Sequence, residues 1–195
     1  QRLEQEMLLG IGGVRALRAY SRITGAPAPT VYHTNEGHAG FQGVERISEL
    51  VSGGDLSFDE ALQAVRAGTV FTTHTPVPAG IDRFHRDLIL PYLEPWARRW
   101  GVPVEEIWAI GQDPEDDDLF NMAALTLRLA SHANGVSRLH GEVSRSLFAG
   151  VGIGESIASI TNGVHARTWV GPDIQATFDE VLGPAWSGGD VEMWD

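Results

Sequence analysis

Three runs of β-branched and aromatic residues, TVYH (30–33), TVFTT (69–73) and SIASI (156–160), constrain this chain more than any other feature. Such residues suit a pleated surface, and the stretches between them are long enough for helices. Phe41 to Leu50 reads as a helix ended near Gly53 and Gly54. Ser57-Phe58-Asp59-Glu60 is a capping box for a helix through Val65, with Gly68 as its stop. The first 22 residues read as a helix interrupted by Gly10, Gly12 and Gly13. Further helices are expected near 85–99, 103–110, 119–133, 140–148 and 174–182, a fourth strand at GVSRL (135–139), and a loose tail over 183–195. Strands alternating with helices imply βαβ units. The expectation is a single α/β domain over 1–195, with a Rossmann-like parallel sheet flanked by helices.

The segment after each strand run is polar and carries glycine. TVYH leads into TNEGHAG, TVFTT into HTPVPAG, GVSRL into HGEVSR and SIASI into TNGVHARTW. In an open parallel sheet the strands all point one way, so these turns collect along one edge, where ligands of such sheets bind. His33, His38, His74, His132, His140 and His165 lie at or near these segments, as do Asn35 and Asn162. Asn, Thr and neutral His each donate and accept hydrogen bonds, which matches hydroxyl groups. A polyhydroxylated ligand such as a sugar fits. Any one of these turns is ordinary loop chemistry, and it is four of them sharing an edge that points to a binding crevice.

Composition removes other classes. The net charge of −12 argues against nucleic acid, whose affinity depends on basic patches. No apolar stretch reaches the roughly 18 residues of a membrane span. The opening QRLEQEMLLG is charged, unlike a secretory leader, and a chain starting at Gln1 is expected to be part of something longer. Cysteine is absent, which removes disulfides and zinc–sulfur sites and suits a cytoplasmic protein. All 14 basic residues are arginines, so a Schiff-base lysine cannot come from this stretch.

Taken singly, the motifs exclude more than they assign. His33 and His38 of VYHTNEGH are five apart, about 140° around a helix, and Gly37 discourages a helix there, so this is not a zinc-protease motif. An EF-hand counted from Asp113 would need glycine and glutamate where Asp118 and Ala124 stand. GIGG (10–13) and GVGIG (150–154) lack the spacing or the preceding strand of a dinucleotide fingerprint. No metal site is expected. Trp96, Trp100 and Trp108 read as packing residues, whereas Trp169 closes the TNGVHARTW turn.

Taken together and in order, TVYHTNEGHAGF, VFTTHTPVPAG, FNMAALTLRLASHANGVSRLHGEVSR and SITNGVHARTW closely resemble the α-glucan (glycogen/maltodextrin) phosphorylases, over about residues 1–172. The resemblance implies part of the N-terminal half of a GT-B architecture, two Rossmann-like domains facing a cleft, with the cofactor domain outside the chain. It implies reversible phosphorolysis of α-1,4-glucan by inorganic phosphate, with pyridoxal phosphate as cofactor, in a cytoplasmic homo-oligomer. It implies that His74 is catalytic, contacting the glucosyl unit near its 6-hydroxyl, and that Thr75 and Asn162 bind substrate. Glu36 and His38 resemble the pair lining the pocket, although many relatives read Asp-Thr-His there. His165, Ala166 and Arg167 stand where those relatives read Thr-Pro-Arg, with His165 counted among the substrate-binding residues, and Trp169 resembles the tryptophan beside the cofactor. Two rivals share the turns or the fold: a sugar-nucleotide-dependent glucosyltransferase of the glycogen or starch synthase kind, and a non-catalytic carbohydrate-binding domain.

Overall fold

The computed structural model describes residues 1–54, 56–152 and 156–188. Residues 153–155 of the GVGIG stretch and 189–195 of the expected tail lie outside the described residues. The chain divides into two compact units, Gln1–Thr161 and Asn162–Asp195.

The first unit is α/β, as the alternating pattern predicts. Four parallel strands, β1 (Tyr32–Asn35), β2 (Thr69–Thr73), β5 (His132–Gly135) and β6 (Ala158–Ser159), lie in the order β1-β2-β5-β6. A two-stranded antiparallel pair, β3 (Arg83–His85) with β4 (Leu119–Asn121), stands apart from them. Around these run α1 (Arg2–Thr24), α2 (Phe41–Ser52), α3 (Phe58–Ala67), α4 (Arg86–Trp100), α5 (Val104–Gly111), α6 (Met122–Arg128) and α7 (Arg138–Leu147). The capping box forms as read: Ser57 accepts from the Glu60 amide, and Glu60 accepts from the Ser57 amide at 2.9 Å.

The inner face of the sheet packs on helices. Phe71 and Ala133 meet Ala123, Ala124 and Leu127 of α6, with Phe148 and Ile157 closing the cluster. Beside it Phe41, Ile47, Val65, Leu93, Trp108, Phe120, Leu125 and Leu129 form a larger core between the helices. Trp96 and Trp100 stack there, in the packing role expected of them. On the other face, His33 Nε2 lies 2.7 Å from Thr72 Oγ1, which donates to Asn134 Oδ1 at 2.9 Å. Because that hydroxyl proton is spent on Asn134, His33 is the donor in its pair. His33 is thereby a link tying β1, β2 and β5 together.

Three expectations need correction. The glycines do not interrupt α1, which is one helix over Arg2–Thr24. The stretch 119–133 is not one helix but β4, α6 and the start of β5. Asn121 begins α6, its side chain accepting from the amides of Ala123 and Ala124, and the segments on either side pair into different sheets. With β5 at His132–Gly135, only Gly135 of GVSRL lies in a strand; Val136 and Ser137 form the turn, and Arg138 and Leu139 begin α7.

The second unit holds α8 (Ala166–Trp169), α9 (Pro172–Val181) and a 3₁₀ turn, Pro184–Gly188. Arg167 joins them. Its guanidinium pairs with Asp179 at 2.7 Å and donates to the Pro184 carbonyl at 2.8 Å. Trp186, buried in the stretch expected to be loose, donates to Asp179 and meets the Phe178 ring edge-on at 5.1 Å.

Candidate functional site

Parallel pairing places the ends of β1, β2, β5 and β6 on one edge of the sheet, as the strand-and-turn pattern predicts. Asn35 pairs with Thr72, and the Glu36 amide donates to the Thr72 carbonyl at 2.9 Å, so the turn after β1 lies beside the turn after β2. Glu36 itself has φ 64° and ψ 176°, the one non-glycine residue with positive φ among the described residues. That region is essentially reserved for glycine and costs a side-chain-bearing residue on the order of 1–3 kcal/mol.

The strained backbone accompanies a carboxylate drawn into the neighbouring turn. Glu36 Oε1 accepts from the amide of His74, from the amide of Thr75 at 2.8 Å and from the Thr75 hydroxyl at 3.1 Å. The Thr73 hydroxyl stands 3.4 Å from the same oxygen. Hydrogen bonds to an ionised acceptor are the strong ones, so this turn is fixed by charge as well as by its chain path. The His74 side chain is exposed and makes no hydrogen bond among the described residues.

Immediately after Glu36, a 3₁₀ turn over Gly37–Ala39 sets His38 beside a small cleft shared with Glu36, Asp82, Met122 and Ala123. Gly37 is required there, because a Cβ would stand 2.9 Å from the Ala123 amide nitrogen. Asp82 brings negative charge to this cleft. Burial would raise its pKa, but hydrogen bonds from Arg2 and Glu6 and the charges of Arg2 and His38 hold it below the usual range. Behind it Glu6, 2 % exposed, is pushed up to about 8, chiefly by burial and then by its hydrogen bond to Asp82.

A larger cavity, about 560 Å³, lies elsewhere. Its lining includes Arg66 and Arg128, in the last turns of α3 and α6, which lead into the starts of β2 and β5. It therefore sits at the amino ends of the strands, and the carboxyl edge is the better ligand site in this class of sheet. Among the described residues, no group of three His, Asp or Glu side chains is placed to hold a metal ion. None of the described helices is long and apolar enough to cross a membrane.

In the second unit Asn162 and His165 are exposed, and Trp169 is 78 % exposed at the end of α8. The His165 ring meets the Thr168 hydroxyl at 2.6 Å, which orients the imidazole across the first turn of that helix. The expected site residues thus fall into two sets. Glu36, His38, His74 and Thr75 are brought together in the first unit, while Asn162, His165 and Trp169 belong to the second. Glu6, Thr73 and Asp82 were not foreseen. Nothing local marks them, since each matters through a partner far away in the sequence.

No family model matches the chain. Among curated proteins, it is 52% identical over 182 residues to a glycogen phosphorylase of Mycobacterium tuberculosis, covering 88% of this chain and 21% of that protein. It is 41% identical over 191 residues to a maltodextrin phosphorylase of Thermococcus litoralis, covering 95% of this chain and 22% of the relative. A glycogen phosphorylase of Aquifex aeolicus is 32% identical over 185 residues, 93% of this chain and 26% of the relative. The chain thus spans between a fifth and about a quarter of the length of these relatives. These names do not favour a nucleotide-dependent glucosyltransferase or a non-catalytic domain. Over the stretch it covers, the chain belongs to the α-glucan phosphorylase family.

Proposed function

We propose that the chain forms the glucan-binding side of an α-1,4-glucan phosphorylase, which uses inorganic phosphate to release α-glucose 1-phosphate from glycogen or maltodextrin. The observation that carries this reading is the His74–Thr75 turn, fixed at the carboxyl edge of the sheet with the imidazole left exposed. An exposed imidazole beside the Thr75 hydroxyl suits a glucan, whose hydroxyls donate and accept. In this reading His74 hydrogen-bonds the glucosyl unit near its 6-hydroxyl, and the bond strengthens as positive charge develops on the ring. Thr75 and His38 line the same wall, and Asn162 and His165 are read as further substrate-binding residues.

Pyridoxal phosphate, when bound, supplies acid–base chemistry through its phosphate group. The residues present fit a supporting role only: the chain has no lysine to attach the cofactor, and Trp169 offers an exposed indole face to flank it. The surrounding protein is read as a GT-B enzyme, cytoplasmic and homo-oligomeric. The test is an assay of the full-length protein with maltoheptaose and phosphate. Glucose 1-phosphate should appear, and His74→Ala should lower kcat about 100-fold, as the loss of one transition-state hydrogen bond does elsewhere. Near-wild-type kinetics for that variant would mean the site is misplaced. Glucan extension from a sugar nucleotide, without phosphorolysis, would favour the glucosyltransferase.

A further inference from the structure

We infer that Glu36 is a positioning residue: its carboxylate holds the His74–Thr75 turn in the geometry the substrate meets and does not itself bind the glucan. This role rests on the phosphorylase reading for its kinetic consequences, while its structural part stands on the turn alone. The resemblance assigns this side chain to the pocket wall, but the structure spends it otherwise. Oε1 already receives the amides of His74 and Thr75 and the Thr75 hydroxyl, and Thr73 approaches both oxygens at 3.4 and 3.5 Å. Two consecutive amides converging on one oxygen are the arrangement that a bound anion would otherwise occupy. Here the chain supplies its own anion, across 38 residues of sequence.

The backbone of Glu36 points the same way. Glycine would adopt φ 64° and ψ 176° freely, yet a glutamate stands there. The strained conformation is the one in which its carboxylate reaches the turn and its own amide pairs with Thr72. Among the described residues the His74 ring has no hydrogen bond to orient it, so the ring is placed by the backbone that Glu36 fixes. A displacement of about 1 Å at such a group can cost about 100-fold in rate.

The test compares Glu36→Gly, Glu36→Ala and Glu36→Gln in the full-length protein. Glu36→Gly relieves the backbone while removing the anion. Its melting temperature should equal or exceed that of the wild type, while kcat falls about 100-fold and KM stays within about threefold. Glu36→Ala should show the same kinetic split. Glu36→Gln keeps a carbonyl oxygen in place of Oε1 and should restore kcat to within about tenfold of wild type. A rise in KM alone would mean direct substrate contact. Unchanged kcat in Glu36→Gly, or a loss of kcat that only tracks a lower melting temperature, would also overturn the inference. Hydrogen exchange gives a readout independent of turnover. The amides of His74 and Thr75 should exchange at least about tenfold faster in Glu36→Gly and stay protected in Glu36→Gln. If the wild type carries out no phosphorolysis, the proposed function fails and the exchange experiment still decides the role of Glu36.

Discussion

Glu6 shows how one side chain can tie stability to pH. It is 2 % exposed and bonded to Arg2 through Oε1, while Oε2 is sealed from solvent. That second oxygen finds a partner only when one of the two carboxyls carries a proton, and the proton then bridges Glu6 and Asp82. Burial and this shared bond raise the Glu6 pKa from its ordinary 4.5 to about 8, although the nearby Arg2 charge opposes the shift. A group whose pKa is raised on folding contributes stability that is fully present below pH 4.5 and is lost as pH rises through about 8. Glu6→Gln is neutral at every pH and keeps the shape. Its melting temperature should therefore match the wild type near pH 4.5 and exceed it by about 4 °C at pH 9, the shift that about 1.5 kcal/mol gives in a chain of this size. Melting curves at several pH values would show it, and a constant offset would mean that the carboxyl stays ionised in the folded protein.

Among the elements, α1 is where sequence reading and structure differ most usefully. Gly10, Gly12 and Gly13 read as breaks because glycine is a poor helix former. The helix survives because it buries Leu3, Gly10 and Val14 and is held by Arg2–Asp82 near its start and by Arg15–Glu45 and Arg18–Glu49 to α2 further on. Gly10 is there for contact: a Cβ would lie 2.7 Å from the Gln42 amide nitrogen and 2.9 Å from Phe41, whereas one on Gly13 would meet nothing within 4 Å. Gly10→Ala should therefore cost about 1–3 kcal/mol by overpacking, and Gly13→Ala should gain about 0.5–1 kcal/mol through better helix propensity. Opposite shifts in melting temperature test this, and shifts of the same sign would reject it. The same distinction explains which elements are legible in the sequence. The bounds of β2 and the Ser57 capping box were legible because β-branched runs and caps are local chemistry. The region 119–133 was not, since Met122 to Leu127 are all buried and show no polar face to fix a period. β3 has only three residues and pairs with a strand more than thirty positions away, so no local pattern announces it.

For the molecule as a whole, the site was legible as an edge and illegible as a mechanism. The turns after β1 and β2 could be named because parallel strands gather their ends. The bond from Glu36 to the His74 turn depends on one backbone angle and on a sequence separation of 38 residues. The charge balance is legible from sequence alone, and the structure sharpens its meaning. The net charge is −12, and most of the arginines that oppose it are committed. Arg2, Arg15, Arg18, Arg83, Arg86, Arg98 and Arg167 each pair with a carboxylate, Arg128 holds the carbonyls of Ala109, Ile110 and Gln112, and Arg46 lies buried over the Tyr32 ring. Substrate phosphate needs cations that are free to grip it, and pyridoxal phosphate needs a lysine that this stretch lacks. The 195-residue chain supplied with maltoheptaose, phosphate and pyridoxal phosphate should thus form no glucose 1-phosphate and retain no cofactor absorbance after desalting. The full-length protein should do both under the same conditions. Glucose 1-phosphate released by the shorter chain alone would overturn the proposed division of labour between this stretch and the rest of the protein, because a chain without lysine and with few free arginines would then suffice for the reaction.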